Sequence, residues 1–446
     1  MTAATRLALV AIARPTFDVP LAQEMHGRAR RALEDQGYAL LGPDQLIMNG
    51  DDVTSALQTL QGADYDLLVL LQTTFADSSM AQQIARASSA PELLWALPEE
   101  RSGGRLRLNS FCGINLAGHG LRRAGLRYET LYGLPEDERT LAHIQALAQA
   151  ARAVRQLRQT RIGRVGNPPD GFETCIANVA ALKETFGAEL IHVDLQHVFA
   201  AARQADAVRV DAQLERVGAI LGNLGEVDAQ QTRGTLSTYV TLHDLAAEEK
   251  LDGLAVRCWP EFFTDLGCAA CGAMSLLSHE QTPCSCEADV NGTLTQVLLQ
   301  SISGAPAFGT DLVSFDSDDD TAILWHCGLA PLEMCDPDYA PRAALHSNRR
   351  MPLLFEFPLK PGRVTLARLS EASGEFRLVL GAGEMLQAPP AFSGTSGTLR
   401  FDSGAEAAMQ TILSEGLEHH VSLTYGDHVE ALLAFARMLN LPVLRL

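Results

Sequence analysis

The sequence predicts an α/β protein: two Rossmann-like parallel α/β domains followed by a smaller, mainly antiparallel, barrel-like β domain. Three observations predict it. Apolar runs of strand length alternate with helical stretches through the first two thirds of the chain, as in parallel sheets covered by helices. From near Met351, short strands are separated by Pro361-Gly362 and Ser373-Gly374, a pattern of antiparallel structure. A chain of 446 residues also exceeds one ordinary core, so several domains are expected.

The elements follow in order. Leu7–Ile12 reads as a buried strand, and Leu21–Gln36 as a helix capped by Gly37. Asp66–Leu71 is a strand, Ser78–Ser88 a helix, and Arg105–Phe111 a third strand. The helix Leu141–Leu157 closes a first domain, 1–155. A second domain, 156–345, starts with the strand Arg161–Gly166 and continues through a helix over Gly171–Phe186. The strand Glu189–Val193, a helix over Val208–Leu221 and a long helix from Gln230 to Glu249 come next. Asp252–Arg257 is a short buried strand, Cys271–Ser278 a helix, and Val290–Gln300 a helix capped by Asp289. In the third domain, 346–446, Leu353–Phe357, Val364–Leu369 and Phe376–Leu380 are strands. A helix over His428–Asn440 and the strand Pro442–Leu446 end it.

Composition narrows the function. A net charge of −19 excludes a nucleic-acid role and disfavours an anionic membrane surface. The arginines from Arg152 to Arg164 read as a solvated face. No apolar segment approaches a membrane span, and no signal peptide is visible. Nine cysteines, an odd count, suit a reducing cytoplasm. Cys268-x-x-Cys271 with Cys284-x-Cys286 is spaced poorly for a zinc knuckle. There is no GxGxxG or P-loop. Asp316, Asp318, Asp319 and Asp320 form a solvated turn without the glycine and glutamate of a calcium loop.

Four residues stand out as ligands of one divalent ion such as Mn²⁺: Glu287, Asp311, His326 and His420. Two carboxylates and two imidazoles suit an ion that keeps positions open for substrate hydroxyls. Each also has an ordinary reading: a helix-capping Glu, an edge-strand Asp and core histidines. His419 and His420 lie in an extended stretch, where neighbouring side chains point to opposite faces, so one of the two is expected to face the site. Gln72 ends a strand where α/β proteins gather ligands. Arg257 holds a similar place in the second domain, and Trp259 is suited to cover a sugar face.

These motifs together resemble the L-fucose and L-arabinose isomerase superfamily, most closely its L-fucose isomerase-like branch. Cys-Glu-Ala-Asp-Val-Asn-Gly matches the first ligand motif at Glu287, and Gly-Thr-Asp-Leu matches the second at Asp311. His419-His-Val-Ser-Leu-Thr-Tyr-Gly is similar to the closing motif and puts His420 on the ligand position, with His419 beside the substrate. His326 matches a further ligand of the arabinose isomerase branch. Ala13-Arg-Pro-Thr-Phe-Asp18 resembles a signature whose arginine reaches a neighbouring subunit's pocket, which nominates Arg14.

The resemblance covers most of the chain. It implies a Mn²⁺-dependent aldose–ketose isomerase of the cytoplasm, with Glu287 and Asp311 as both ligands and proton carriers through a cis-enediol. It also implies a homo-oligomer, trimer or hexamer, with active sites near subunit interfaces. Two other readings stand beside it. One keeps the metal site for an acidic or sulfo-sugar, with Arg14 or Arg257 meeting the anion. The other is a sugar-binding protein without chemistry.

Overall fold

The computed structural model describes residues 5–446. The chain divides into two compact units, Met1–Arg155 with Glu430–Asn440, and Gln156–Val429 with Leu441–Leu446.

The first unit is built on a five-stranded parallel sheet, in the order β2-β1-β3-β4-β5. Its strands are β1 (Arg6–Ile12), β2 (Ala39–Leu41), β3 (Leu67–Gln72), β4 (Glu92–Ala96) and β5 (Glu129–Tyr132). Leu7 to Ile12 are all fully buried, as expected of a strand covered on both faces. The helix Val19–Asp35 starts where the Asp18 carboxylate accepts the Leu21 N–H at 3.1 Å.

Arg105–Phe111 is not a strand. The Glu99 carboxylate accepts the backbone N–H groups of Arg107, Leu108 and Asn109 at 2.8–3.0 Å, taking the donors a sheet would need. The next strand is β4, whose Glu92 interrupts an apolar run.

The second unit carries a four-stranded parallel sheet, β7-β6-β8-β9. It comprises β6 (Arg161–Val165), β7 (Glu189–Val193), β8 (Gly253–Val256) and β9 (Cys284–Ser285). The expected helix over Gly171–Phe186 is broken. A short 3₁₀ turn, Glu173–Cys175, precedes a helix that starts only at Val179, where Asn178 caps the Ala181 N–H. Asn178 also donates its own backbone N–H to Glu371, so the chain leaves the helical path there.

The remaining strands are β10 (Phe308–Asp316), β11 (Thr321–His326), β12 (Arg342–Ala344), β13 (Leu354–Pro358), β14 (Gly362–Ser370), β15 (Arg377–Leu386), β16 (Thr395–Phe401), β17 (His420–Tyr425) and β18 (Val443–Arg445). The β16–β15 pairing closes six of them, β16-β11-β10-β17-β14-β15, into an antiparallel barrel. The antiparallel structure therefore begins at Phe308, ahead of the change in sequence character near Met351. β10 and β11, read as extended around Asp311 and His326 but placed in the second domain, are joined by an Asp-rich turn. In that turn Asp316 accepts the N–H groups of Asp318 and Asp319, and Asp320 caps Ala405 at 2.7 Å.

The helix Val290–Ser303 packs against β8 of the parallel sheet and against β14 and β17 of the barrel. A helix buried on every side needs apolar or hydrogen-bonded residues all round, and this one has them. Its N-terminus is thereby fixed against the barrel strands, and the candidate site forms there.

Candidate functional site

The site starts at the turn before that buried helix. Asp289 is its N-cap and accepts the Gly292 N–H at 2.8 Å. Glu287 and Ala288 precede it with left-handed backbone, at φ 60° and 55°. Two successive non-glycine residues in this region are strained, and such strain persists only where surrounding contacts hold it. Here the Glu287 side chain is held by hydrogen bonds to Trp259 and His419.

β10 and β17 bring the other ligand candidates. In their antiparallel register Asp311 lies directly opposite His420, so both side chains leave the sheet on one face. His420 Nδ1–H donates to Asp289 Oδ2 at 3.0 Å. That bond leaves Nε2 as the lone-pair face of the neutral ring. Nε2 stands 3.8 Å from Glu287 Oε2 and 3.5 Å from Asp311 Oδ1. Asp311 Oδ1 is buried and has no hydrogen-bond partner among the described residues.

Asp289 is itself held by Arg368, which donates to both carboxylate oxygens at 2.5 and 3.0 Å. Both residues are buried, at 1% and 2% exposure, so this charge pair is sealed from water. Burial pushes the Asp289 carboxyl up, but Arg368 and His420 outweigh it and hold the group well below the usual carboxylate range. Gly292 has to be glycine: a Cβ there would stand 2.4 Å from Asp289 Oδ2 and 3.0 Å from an Arg368 nitrogen.

Glu287 is gripped from two sides. Its Oε1 accepts the Trp259 indole N–H at 3.1 Å, and its Oε2 accepts from His419 Nε2 at 3.0 Å. Burial pushes this carboxyl up. The His419 hydrogen bond, the His420 ring and the Trp259 N–H pull it below its ordinary value. The Thr174 hydroxyl faces His419 Nδ1 at 2.8 Å and fixes the far side of that ring. Phe172 completes an aromatic wall with Trp259 and His419.

Both histidines of the doublet thus reach Glu287, against the expectation that only one faces the site. Strand β17 begins at His420, so His419 lies outside the alternation of the pleat. Cys175, which sequence reasoning missed, also joins. Its thiol lies 3.7 Å from Glu287 Oε2 and, with Glu287, His419 and His420, forms a group of donors all within 4.8 Å of one another. The sequence reading had placed it inside a continuous helix, whereas it ends the 3₁₀ turn Glu173–Cys175. Cys268, Cys271, Cys284 and Cys286 form no comparable group among the described residues. All nine cysteines carry free thiols.

The other expected residues fall differently. His326 ends β11 with its ring 6.0 Å from that of His420, and its Nδ1 accepts the Cys327 N–H at 2.9 Å. In the neutral ring that acceptor role places the proton on Nε2. Arg257 is engaged, donating to Glu261 at 2.8 Å and to the Asn167 and Pro168 carbonyls at 3.1 Å. These bonds use Nε and Nη1 and make Arg257 a brace of the loop after β6, with its charge paired to Glu261. Arg14 and Gln72 belong to the first unit. Arg14 is exposed, whereas Gln72 is fully buried and offers no surface to a ligand.

Comparison with known proteins decides the family. Residues 8–158 match the fucose/sulfoquinovose isomerase N-terminal domain, and residues 324–446 match the L-fucose isomerase C-terminal domain. Proteins named sulfoquinovose isomerase from Priestia aryabhattai and Alkalicoccus urumqiensis are each 31% identical, over 98% of this chain and 98% of their own. One from a Clostridium species is 30% identical over the same shares. The chain belongs to the fucose isomerase family. As a member of that family it is a sugar isomerase acting on a small-molecule sugar, and the reading as a binding protein without chemistry is set aside. No helix among the described residues is long and apolar enough to cross a membrane.

The donor set fits a divalent ion. Cys175, Glu287, His419 and His420 offer donors all within 4.8 Å of one another, and beside them Asp311 Oδ1, 3.5 Å from His420 Nε2, is buried without a hydrogen-bond donor among the described residues. Lone pairs so arranged repel one another unless a cation stands among them.

Proposed function

We propose that the protein is a metal-dependent aldose–ketose isomerase acting on an open-chain sugar that carries a sulfonate. The single observation that supports the metal is that His420 Nε2 stands 3.8 Å from Glu287 Oε2 and 3.5 Å from Asp311 Oδ1. The sulfonate is carried by relatives named for sulfoquinovose, a glucose with a sulfonate on C6, matched along nearly the whole chain.

Glu287, Asp311 and His420 would hold the ion, Mn²⁺ or a similar divalent metal. When bound it supplies polarisation of the sugar carbonyl and of the neighbouring hydroxyl. The chain's own residues move the protons. One of the two carboxylates, Glu287 or Asp311, takes the proton from C2, and a proton is later returned to C1. The other passes a proton between O2 and O1. The intermediate is a cis-enediol, and the net change moves one hydrogen between carbons and one between oxygens. Trp259 and His419 fix both oxygens of Glu287, so its orientation does not depend on the substrate. His326, with its proton on Nε2, is a hydrogen-bond donor beside the site rather than a fourth ligand.

The same reading makes the protein a cytoplasmic homo-oligomer, a trimer or hexamer, whose exposed Arg14 reaches the site of a neighbouring subunit.

The test is conversion of sulfoquinovose in D₂O. Ketose formation that stops with EDTA, returns with Mn²⁺ and leaves deuterium on carbon is expected. Product free of deuterium would replace the enediol by a hydride shift. Turnover that ignores EDTA would overturn the metal.

A further inference from the structure

Arg349 is the cation that neither the sequence motifs nor the donor set accounts for. It lies in the loop between β12 and β13, half-buried. Its guanidinium carbon stands 4.8 Å from the centroid of the Trp259 ring and 5.2 Å from that of Phe263. Trp259 is the residue whose indole N–H holds Glu287 at 3.1 Å. One side chain therefore spans from the reacting carboxylate to the guanidinium, which keeps them within roughly 10 Å of each other.

No carboxylate among the described residues forms an ion pair with Arg349, whereas Arg257, Arg368 and Arg363 are all paired. Its polar neighbour is His346, 8% exposed, whose Nε2 lies 3.4 Å from an Arg349 terminal nitrogen. His346 Nδ1 accepts backbone N–H groups from Asn348 at 3.3 Å and Arg349 at 3.4 Å. The neutral ring must then carry its proton on Nε2. Two donors face the same space, and neither has an acceptor among the described residues. Stacking on aromatic faces leaves the edge of a guanidinium free for bidentate hydrogen bonding to a planar or tetrahedral oxyanion.

The geometry points to Arg349 and His346 as an anion subsite that reads the sulfonate of the substrate, with Trp259 as the floor between it and the metal ligands. This rests on the sulfo-sugar reading above. Chain length agrees: an extended six-carbon sugar held at C1 and C2 carries a C6 sulfonate roughly 8 Å away. The subsite replaces Arg257, which the fold has already committed to Glu261, as the group that meets the anion.

The experiment pairs kinetics with binding. Wild type, Arg349→Gln and Arg349→Lys are assayed on sulfoquinovose and on 6-deoxyglucose. Each is then titrated calorimetrically, as the metal-loaded enzyme, with the unreactive alditol of sulfoquinovose. Arg349→Gln is expected to lower kcat/KM for sulfoquinovose at least 30-fold more than for 6-deoxyglucose, mainly through KM, and to weaken alditol binding by a similar factor. Arg349→Lys should restore part of both, since it keeps the charge but not the fork. Equal losses on both sugars would overturn the subsite and leave Arg349 as a support for Trp259. An alditol that binds wild type and Arg349→Gln equally would do the same while leaving the sulfo-sugar reading intact. Wild type that isomerises 6-deoxyglucose but neither turns over sulfoquinovose nor binds its alditol would sink the reading and the subsite together.

Discussion

Asp289 accepts the Nδ1 proton of His420 at 3.0 Å, and that bond turns the other ring nitrogen toward Glu287 and Asp311. One carboxylate therefore caps the buried helix, neutralises Arg368 and sets the tautomer of a metal-ligand candidate. Such outer carboxylates raise the basicity of the histidine and fix its direction.

Replacing this carboxylate should show in two places. Asp289→Asn is expected to weaken Mn²⁺ affinity by about 10–100-fold, read by calorimetric titration. It should also cost about 3–5 kcal/mol of stability, because Arg368 keeps its buried charge without a partner. The pH dependence follows from the lowered pKa of Asp289. A depressed carboxylate contributes stability above its unfolded pKa and loses it as pH falls toward the folded value. Wild type should therefore lose stability progressively below about pH 4, and Asp289→Asn should show a shallower acid limb in thermal melts. Identical acid limbs would remove Asp289 from this role.

Much of this site was legible in the sequence, and the misses share a cause. Glu287 and Asp311 stood out from their motifs, and Asp289 read correctly as an N-cap, because capping is a local rule. Its bond to His420 joins residues 131 apart and has no local signature. Cys175 and Arg349 were invisible for the same reason: each matters only through what the fold lays beside it. The pleat argument for the histidine doublet failed because β17 starts one residue later than that argument requires. Arg105–Phe111 had strand-like alternation, but Glu99 took its backbone donors. The barrel was expected in kind, while its first two strands were read as extended but placed in the second domain, because their pairing with β16 and β17 is long-range and has no local signature.

Trp259 is predicted to act through Glu287. Trp259→Phe keeps the aromatic floor and removes only the N–H that holds Oε1. A lost hydrogen bond to a charged group is worth about 1.5–3 kcal/mol, so kcat should fall about tenfold or more, with metal content retained. Unchanged kcat would mean that His419 alone orients Glu287.

Cys175 is predicted not to be a ligand. Burial, reinforced by Asp289 and Glu287, raises its thiol far above the ordinary value, so it stays protonated and donates toward Glu287. Cys175→Ser should keep the metal stoichiometry of wild type. With Co²⁺ as the probe, neither protein should show a thiolate charge-transfer band. A band in wild type that disappears in the serine variant would make Cys175 a ligand.

Glu92 gives a prediction for the first unit. It is 5% exposed in β4, with Oε1 unpartnered, and burial pushes its carboxyl up to about 8. A raised carboxylate contributes stability below its unfolded pKa and loses it as pH rises through the folded value. Relative to wild type, Glu92→Gln should gain stability between about pH 5 and 8, by about 2–4 kcal/mol at the upper end. Parallel stability curves across that window would show that Glu92 has a partner in solution.

The central claim is that Glu287, Asp311 and His420 hold one divalent ion at the reacting end of the sugar. Its most direct test is anomalous diffraction at the manganese edge from crystals of the active, Mn²⁺-loaded enzyme. A single peak within ligand distance of Glu287, Asp311 and His420 Nε2 is the predicted result. Fully active crystals with no peak there, or with the ion bound elsewhere, would contradict it.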